Sequence, residues 1–295
     1  MRESKNLDAS AVPNKYPNIA KIFTKKWFES EFRKEKESMH LLARQFTYDE
    51  NDRSSLHLIN HLEEYLATMQ DEIKRNKKHF YDTLRSRDQY NSTSAEIEIA
   101  SLFTNMGFRQ VELEPPIPDS DFGGKADIKI CDDEVEIFIE VTTKKGPETN
   151  YIYDFGLGIK GGPFKFQSPK TYKDKIEHKS NRQLSNSHPG IIVLYLDPSC
   201  IPERRNIQKA LYDGIVWRTN GEIVCLEQGE SAMDNTIISA ILCYFHYFSD
   251  RCKIIKELYL NPKAKNPLPE SIITKFRDSG IEIKEEPIVL ERNSP

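Results

Sequence analysis

The chain has 295 residues, of which 30% are charged and 38% are hydrophobic, and its formal net charge at pH 7 is −4. This length predicts one large domain with an appendage, and the apolar runs are too short to span a membrane. The acidic balance argues against a generally basic nucleic-acid binder. Residues 1–5 are polar, unlike a signal peptide, and five cysteines without a Cys-x-x-Cys pair predict reduced thiols in a cytoplasmic protein.

The N-terminal part divides into two predicted regions. Residues 1–18 are predicted to be disordered, and residues 19–88 are charge-rich and predicted to form two or three helices. We expect these helices either to pack on the rest of the chain or to mediate formation of a homo-oligomer. His57 and His61, spaced by four, would suit zinc, but no nearby Cys completes a ligand set, so packed or solvated histidines are the preferred interpretation. The amphipathic face that supports a helix here consists of His57, Leu58, His61, Leu62, Tyr65, Leu66 and Met69.

A further helix is predicted to begin at Thr93 and to end at Gly107. Residues 93–96 match a capping box, and glycine is the usual residue after the last turn of a helix. Helical periodicity places Glu96 on the inward face and Glu98 nearer the outer face. Glu96 is then either a capping carboxylate alone or also part of a site, and the two roles are compatible.

A β-hairpin follows this helix. Residues 125–130 and 135–142 both alternate between polar and apolar side chains with period two, which is typical of strands. The polar residues 131–134 between them predict a four-residue turn. In that geometry Ile130 pairs with Val135.

This pairing predicts which side chains share a face of the hairpin. Asp127 would lie opposite Phe138 and Lys125 opposite Glu140, so Lys125, Asp127, Glu140 and Thr142 would point the same way. Carboxylates on a covered face cost desolvation energy unless something binds them, and a hard divalent cation, Mg²⁺ or Mn²⁺, prefers oxygen ligands. The opposite face is predicted to be core and consists of Ala126, Ile128, Ile130, Val135, Ile137, Ile139 and Val141.

A basic, aromatic-rich segment comes next. Residues 144–182 contain nine Lys or Arg against four Asp or Glu, a local excess of +5. The segment is either a nucleic-acid surface or a solvated loop with aromatic residues tucked into the core. Residues 156–161 match G-x-G-x-x-G but open no helix, so they do not indicate a dinucleotide site. The residues predicted to contact nucleic acid are Lys173, Lys175, Lys179 and Arg182.

The remaining elements are read from apolar runs. Residues 170–185 predict a basic helix, and residues 190–197 predict a strand buried on both faces. Residues 237–248 and 258–260 predict two more strands, and residues 269–278 predict a closing helix.

The ordered set of elements resembles the PD-(D/E)XK nuclease superfamily. An acidic helix precedes strand Gln110–Leu113, a strand with Asp127, a strand with Glu140, a helix and another strand. The resemblance covers about residues 90–200 well and extends more loosely to about 270. It implies an α/β, restriction-endonuclease-like fold over residues 89–295, with a mixed central sheet flanked by helices and an N-terminal helical extension. The motifs that carry it are Gly107-Phe108, Pro115-Pro116-Ile117-Pro118, Ala126-Asp127-Ile128 and Ile139-Glu140-Val141-Thr142.

The resemblance also implies a metal site. Glu96, Asp127 and Glu140 would hold one or two Mg²⁺ or Mn²⁺ ions, and the backbone carbonyl of Val141 would add a ligand. The superfamily's catalytic lysine stands two residues after the second acid, where this chain has Thr142. The predicted substitutes are Lys144 first and Lys125 second, whereas Lys175 or Lys179 would have to reach in from the next helix.

Two classes of function fit these observations. One is a metal-dependent nuclease that hydrolyses phosphodiester bonds, in DNA in preference to RNA. The other is a catalytically silent nuclease-fold module that binds nucleic acid or supports assembly. A lysine close to the acid pair favours the first class, and lysines that all point to solvent favour the second.

Overall fold

The structure is a computed structural model, and it describes most of the chain. The described residues are 12–47, 53–118, 124–143, 183–196, 214–219, 222–228, 235–248, 252–284 and 289–291, with single positions 173, 174, 176, 178, 179 and 211. Within these parts of the chain, none of the helices combines the length and the hydropathy that crossing a bilayer requires.

The chain divides into two compact units. The helical unit consists of residues 1–105 with 145–162, and the sheet unit consists of residues 106–144 with 163–295. We predicted a boundary at residue 88, and the observed boundary lies 17 positions further on. The helix that was expected to open the nuclease-like domain therefore belongs to the helical unit.

The described part of the helical unit contains more helices than the two or three expected. Its first helix and the start of its second fall within residues 1–18, which corrects the prediction of disorder for residues 12–18. They form because Val12, Tyr16 and Ile19 recur at helical spacing and are all buried. The helices are α1 (Val12–Lys15), α2 (Pro17–Ile22), α3 (Lys25–Glu31), α4 (Leu41–Gln45), α5 (Arg53–Thr68), α6 (Gln70–Arg75), α7 (Lys77–Arg85) and α8 (Tyr90–Asn105).

Helix α8 differs from its prediction at the start and agrees with it at the end. The N–H of Thr93 donates to the carbonyl of Gln89, so Thr93 lies inside the first turn and residues 93–96 are not a capping box. The predicted faces are also wrong, because Glu98 is buried and Glu96 is only half-buried. Burial of five consecutive positions, 97–101, covers more than one helical face. Gly107 follows the last turn with a φ of +78°, as predicted for a glycine cap.

Helices α5 and α8 meet along a seam of polar side chains. His61 Nε2 hydrogen-bonds Glu98 Oε1 at 2.9 Å, and Tyr65 and Ser94 share a hydrogen bond of 2.6 Å between their hydroxyls. The spacing is four residues on both helices, so the two contacts form successive rungs. Burial by itself would lower the pKa of His61, but the hydrogen bond and charge of Glu98, with a contribution from Glu64, raise it above its ordinary value. Glu98 is therefore a buried carboxylate paired with a histidine whose pKa is raised.

The sheet unit contains a seven-stranded mixed sheet and a three-stranded sheet. The larger sheet has the order β1-β2-β3-β4-β7-β8-β9, and the smaller has the order β10-β5-β6. In the larger sheet β3, β4 and β7 are parallel neighbours, and helices flank the sheet, as expected for an α/β protein. The elements are β1 (Gln110–Leu113), β2 (Ile128–Asp132), β3 (Val135–Thr143), β4 (Gly190–Leu196), β5 (Gly214–Thr219), β6 (Glu222–Gln228), β7 (Ala240–Phe248), β8 (Cys252–Leu260), α9 (Glu270–Asp278), β9 (Glu282–Lys284) and β10 (Val289–Glu291).

The predicted strands and the closing helix are present, but the register of the β2–β3 hairpin is not the predicted one. Asp132 pairs with Val135, so the turn has two residues, Asp133 and Glu134, rather than four. Asp133 adopts a φ of +51°, which aspartate tolerates better than most residues and which a tight turn requires. The slip is two residues, and because side chains alternate with period two it leaves every side chain on its predicted face.

Both faces of β3 are covered. Ile137, Ile139 and Val141 are buried on the face predicted to be core. On the other face Phe138 is buried in a hydrophobic cluster that includes Ile176. Glu140, which lies on the same face as Phe138, therefore has little access to water. Strand β4 is buried at residues 191–194, which confirms the strand predicted to be covered on both sides.

Candidate active site

Asp127 and Glu140 are side by side. The N–H of Asp127 donates to Glu140 Oε1 at 3.1 Å, and the N–H of Val141 donates to Asp127 Oδ2 at 2.7 Å. One more step in the observed hairpin register sets residue 127 beside residue 140, which explains these contacts. Each carboxylate is therefore held by a backbone N–H of the neighbouring strand segment. Such bonds fix the orientation of the acids before anything binds to them.

Glu140 is the more buried of the two acids. Its side chain is 0% exposed, whereas that of Asp127 is 16% exposed. Burial raises the pKa of Glu140 from its ordinary value of 4.5 to about 10, the charge of Asp127 adds to the rise, and Lys179 opposes it. Ionisation of both carboxylates in one buried site is unfavourable because the two negative charges repel each other. At neutral pH the site therefore favours a bound proton on Glu140, or further positive charge beside that of Lys179.

A lysine from the next helical segment reaches the acid pair. Lys179 Nζ lies 3.1 Å from Glu140 Oε2 and 3.9 Å from Asp127 Oδ2, and its side chain is 29% exposed. Ile176 lies one turn earlier and is fully buried in the hydrophobic cluster against the sheet. Residues three apart share a helix face, so the burial of Ile176 directs Lys179 toward β3. The ammonium can therefore contact both carboxylates and still face solvent.

Thr142 stands where the superfamily has its lysine. It lies two residues after Glu140 on the same face of β3 and directly opposite Leu194 of β4. Its Oγ1 is buried and finds no hydrogen-bond partner in the structure described. A buried hydroxyl without a partner is uncommon and costs free energy. Thr142 cannot supply a positive charge, and Lys179 brings one to the same acids from a different element.

The two lysines that we ranked first behave differently. Lys125 was predicted to lie opposite Glu140, but the two-residue slip makes that wrong: it bridges to Pro116 outside the β2 ladder. Its ammonium lies 3.7 Å from Glu114 Oε2, and its side chain is 58% exposed. Lys144 lies outside the described residues, so its proposed catalytic role stays a prediction.

The predicted metal ligands fall into two groups. Asp127 and Glu140 come together in the sheet unit, whereas Glu96 belongs to α8 of the helical unit, and its part in the site stays a prediction. Val141 contributes its backbone N–H to Asp127, and the metal-binding role of its carbonyl likewise stays a prediction. In the parts of the chain that the structure describes, no group of three or more His, Cys, Asp or Glu residues is placed to hold a metal ion. Of the predicted side-chain ligands, the structure therefore brings Asp127 and Glu140 together.

Of the four residues predicted to contact nucleic acid, two are described. Lys173 lies in the helical segment with a half-buried side chain, and Lys179 contacts the acid pair, so the nucleic-acid contacts of both stay a prediction. Lys175, Arg182 and most of the basic segment 144–182 lie outside the described residues. The signal that could have identified Lys179 is the spacing of Lys175, Lys179 and Gln183 by four, which marks one helical face. Sequence alone does not say which turn of that face meets Glu140.

Comparisons of this chain with protein-family models, with curated proteins and with solved structures gave no match.

Proposed function

We propose that this protein is a divalent-cation-dependent nuclease with a restriction-endonuclease-like fold in its sheet unit. The observation that carries the proposal is the position of Lys179, 3.1 Å from Glu140 and 3.9 Å from Asp127. Two acids and a lysine are the side-chain types that the resemblance leads us to expect in a metal-dependent nuclease, and here the lysine comes from the helical segment instead of position 142. The mixed sheet, with both acids on its antiparallel hairpin and a parallel strand beside them, supports the same fold assignment.

The acid pair fits Mg²⁺ or Mn²⁺ by the chemistry of its donors. Both ions prefer carboxylate oxygens, and the raised pKa of Glu140 means that ionising both acids requires positive charge beyond that of Lys179. Asp127 and Glu140 would hold the cation, and the Val141 carbonyl would add a ligand. When bound, the cation would polarise the phosphate and favour ionisation of the attacking water.

The protein's own residues account for the rest of the mechanism. The backbone N–H groups of Asp127 and Val141 hold the two carboxylates in fixed orientations. Lys179 has a partly exposed ammonium on the acids, so it can orient a water molecule and stabilise charge that develops on a phosphate oxygen. The burial of Glu140 keeps solvent from screening these interactions.

A second candidate is a catalytically silent module that binds nucleic acid or supports assembly. One observation favours it: Thr142 stands where the resemblance predicts a lysine, and Lys179 already pairs with Glu140 at 3.1 Å. In that case the ion pair of Lys179 with Glu140 would take the place of a cation and serve stability alone.

Cleavage assays on labelled DNA and RNA with Mg²⁺ or Mn²⁺ separate the two candidates. We expect the wild type to cleave, and Glu140→Gln and Lys179→Gln each to lose at least about a hundredfold in rate, because each removes charge from the site. Lys125→Gln is the matched control and should stay within about threefold, because it is exposed and pairs with Glu114. Lys144→Gln tests the substitute that we ranked first.

Calorimetry with Mn²⁺ supplies a readout that does not require cleavage. The wild type should bind Mn²⁺ and Asp127→Asn should bind it at least about tenfold more weakly. If the wild type cleaves nothing under any of these conditions, or if Glu140→Gln cleaves as fast as the wild type, the nuclease proposal is wrong and the binding module remains.

A further inference from the structure

The junction of α6 and α7 concentrates positive charge on an acidic protein. Residues 74–87 contain six Lys or Arg and one Asp, an excess of +5 in a chain whose net charge is −4. Four of the six lie within residues 74–78, where Asn76 separates the two helices with non-helical backbone angles. We call these four side chains, Lys74, Arg75, Lys77 and Lys78, the basic turn.

The side chains of the basic turn face solvent. All four are exposed, with Lys74 at 57% and Arg75 at 65%. Lys77 and Lys78 have no carboxylate within ion-pair distance in the described part of the chain. Lys74 pairs with Asp71 and Arg75 with Glu72, each three residues earlier, and the Lys74–Asp71 pair, solvated on both sides, is worth at most about 1 kcal/mol. An incoming anion can therefore replace Asp71 as the partner of Lys74 at little cost in free energy.

A neighbouring tyrosine holds part of this surface in place. Lys77 Nζ lies 5.1 Å from the centre of the Tyr81 ring, and the Arg85 guanidinium lies 5.6 Å from the same centre. Arg85 also donates to the carbonyl of Ile22 and is thus occupied by the fold. The cation–π contact limits the freedom of Lys77 and reduces the entropy cost of binding there.

The chemistry of the surface favours a nucleic-acid backbone over other polyanions. Ile73, Phe80 and Leu84 are buried, and the half-buried Tyr81 ring is occupied by Lys77 and Arg85, so the turn has little apolar surface for insertion into a lipid headgroup layer. Three of its four cations are lysines, which are depleted from protein–protein interfaces but bind phosphates well. We propose that the basic turn of the helical unit binds the phosphodiester backbone of DNA. This proposal goes beyond the nuclease activity and does not depend on it.

Binding of full-length protein to a fluorescein-labelled DNA duplex tests the proposal. The assay is fluorescence anisotropy in EDTA at several salt concentrations between about 50 and 200 mM, so that no cleavage takes place. The quadruple variant Lys74→Gln, Arg75→Gln, Lys77→Gln and Lys78→Gln should bind at least about tenfold more weakly at the lowest salt. Its salt slope should fall by about 2 to 4, because each phosphate contact contributes about 0.9 on B-DNA.

A charge-matched control removes four other exposed cations of the same unit. The variant Lys25→Gln, Arg33→Gln, Lys26→Gln and Lys36→Gln changes the net charge by the same amount and should keep the wild-type slope within about one. Conservative replacement of Lys77 and Lys78 by Arg should retain binding. Circular dichroism of each variant checks that the helices persist.

The outcomes separate this proposal from the nuclease proposal. DNA binding that depends on the basic turn in a protein that never cleaves would support this inference and refute the other. Equal losses in the two quadruple variants, or an unchanged slope in the first, would overturn it even if cleavage occurs. Binding to phosphatidylserine vesicles but not to DNA, lost in the first variant, would also overturn it and identify a membrane surface.

Discussion

The helical unit and the sheet unit each bury a glutamate, and they compensate its charge in different ways. Glu98 is 4% exposed and meets His61, whose pKa it raises, and the second acid on that histidine, Glu64, is 77% exposed and stays solvated, so one buried acid faces one base. Glu140 is 0% exposed and meets both a lysine and a second carboxylate, so two acids share one base. In the first arrangement, the protein's own histidine is enough to compensate the buried carboxylate. In the second, one lysine does not make ionisation of both acids favourable, and this is the basis of our proposal that the site binds a further cation.

The largest expected effects are on the free energy of unfolding, and substitution of the two glutamates should change it in opposite directions. Glu140→Gln should raise the free energy of unfolding by about 2–4 kcal/mol at neutral pH, because folding with Glu140 requires uptake of a proton that the unfolded chain does not hold at that pH, and glutamine removes this requirement. Glu98→Gln should lower it by about 1–3 kcal/mol, because it leaves His61 without its carboxylate. Urea unfolding followed by circular dichroism measures both.

The response of the melting temperature to Mn²⁺ also distinguishes the two glutamates. Mn²⁺ should raise the melting temperature of the wild type and of Glu98→Gln but leave Glu140→Gln unchanged, because only the acid pair gains a ligand. A loss of stability in Glu140→Gln, with no response of the wild type to Mn²⁺, would mean that the acid pair and Lys179 form a structural ion pair like the one in the helical unit.

A smaller effect concerns pH and the seam between α5 and α8. Because the folded-state pKa of His61 is raised, the stability that it contributes is present below its unfolded pKa of about 6.5 and is lost as pH rises through the folded pKa. His61→Asn should therefore destabilise the protein more at about pH 6 than at about pH 9. In a Glu98→Gln background the substitution should cost nearly the same at both pH values. A loss that grows with pH would contradict the assignment of Glu98 as the partner.

The smallest effect contrasts two hydroxyls. Thr142→Val should raise the free energy of unfolding by roughly 1 kcal/mol, because it removes a buried oxygen that has no partner in the described structure. Tyr65→Phe should lower it by roughly 1 kcal/mol, because Tyr65 shares a hydrogen bond with Ser94 in the seam. Thermal unfolding of the two variants beside the wild type checks the signs. Destabilisation by Thr142→Val would show that its hydroxyl has a partner in the folded protein.

Local sequence patterns determined the elements and the faces of the sheet unit. Alternation with period two predicted both hairpin strands, and the apolar runs predicted β4, β7 and the end of β8. Asp127 and Glu140 were predicted to share a face, and they do, because a slip of two residues does not change which side of a sheet a residue faces. Gly107 was predicted to end α8, because a left-handed backbone at a helix end is a local requirement.

The tertiary structure decided the contacts between elements. The turn at Asp133 set the register and removed Lys125 from the position opposite Glu140. The burial of Ile176 brought Lys179 to the acids, and α8 buried Glu98 instead of Glu96. These outcomes depend on side chains that are far apart in the sequence and on which helix face meets which strand. Hydrophobic periodicity identifies a buried face, but packing alone selects the partner that each buried charge will meet.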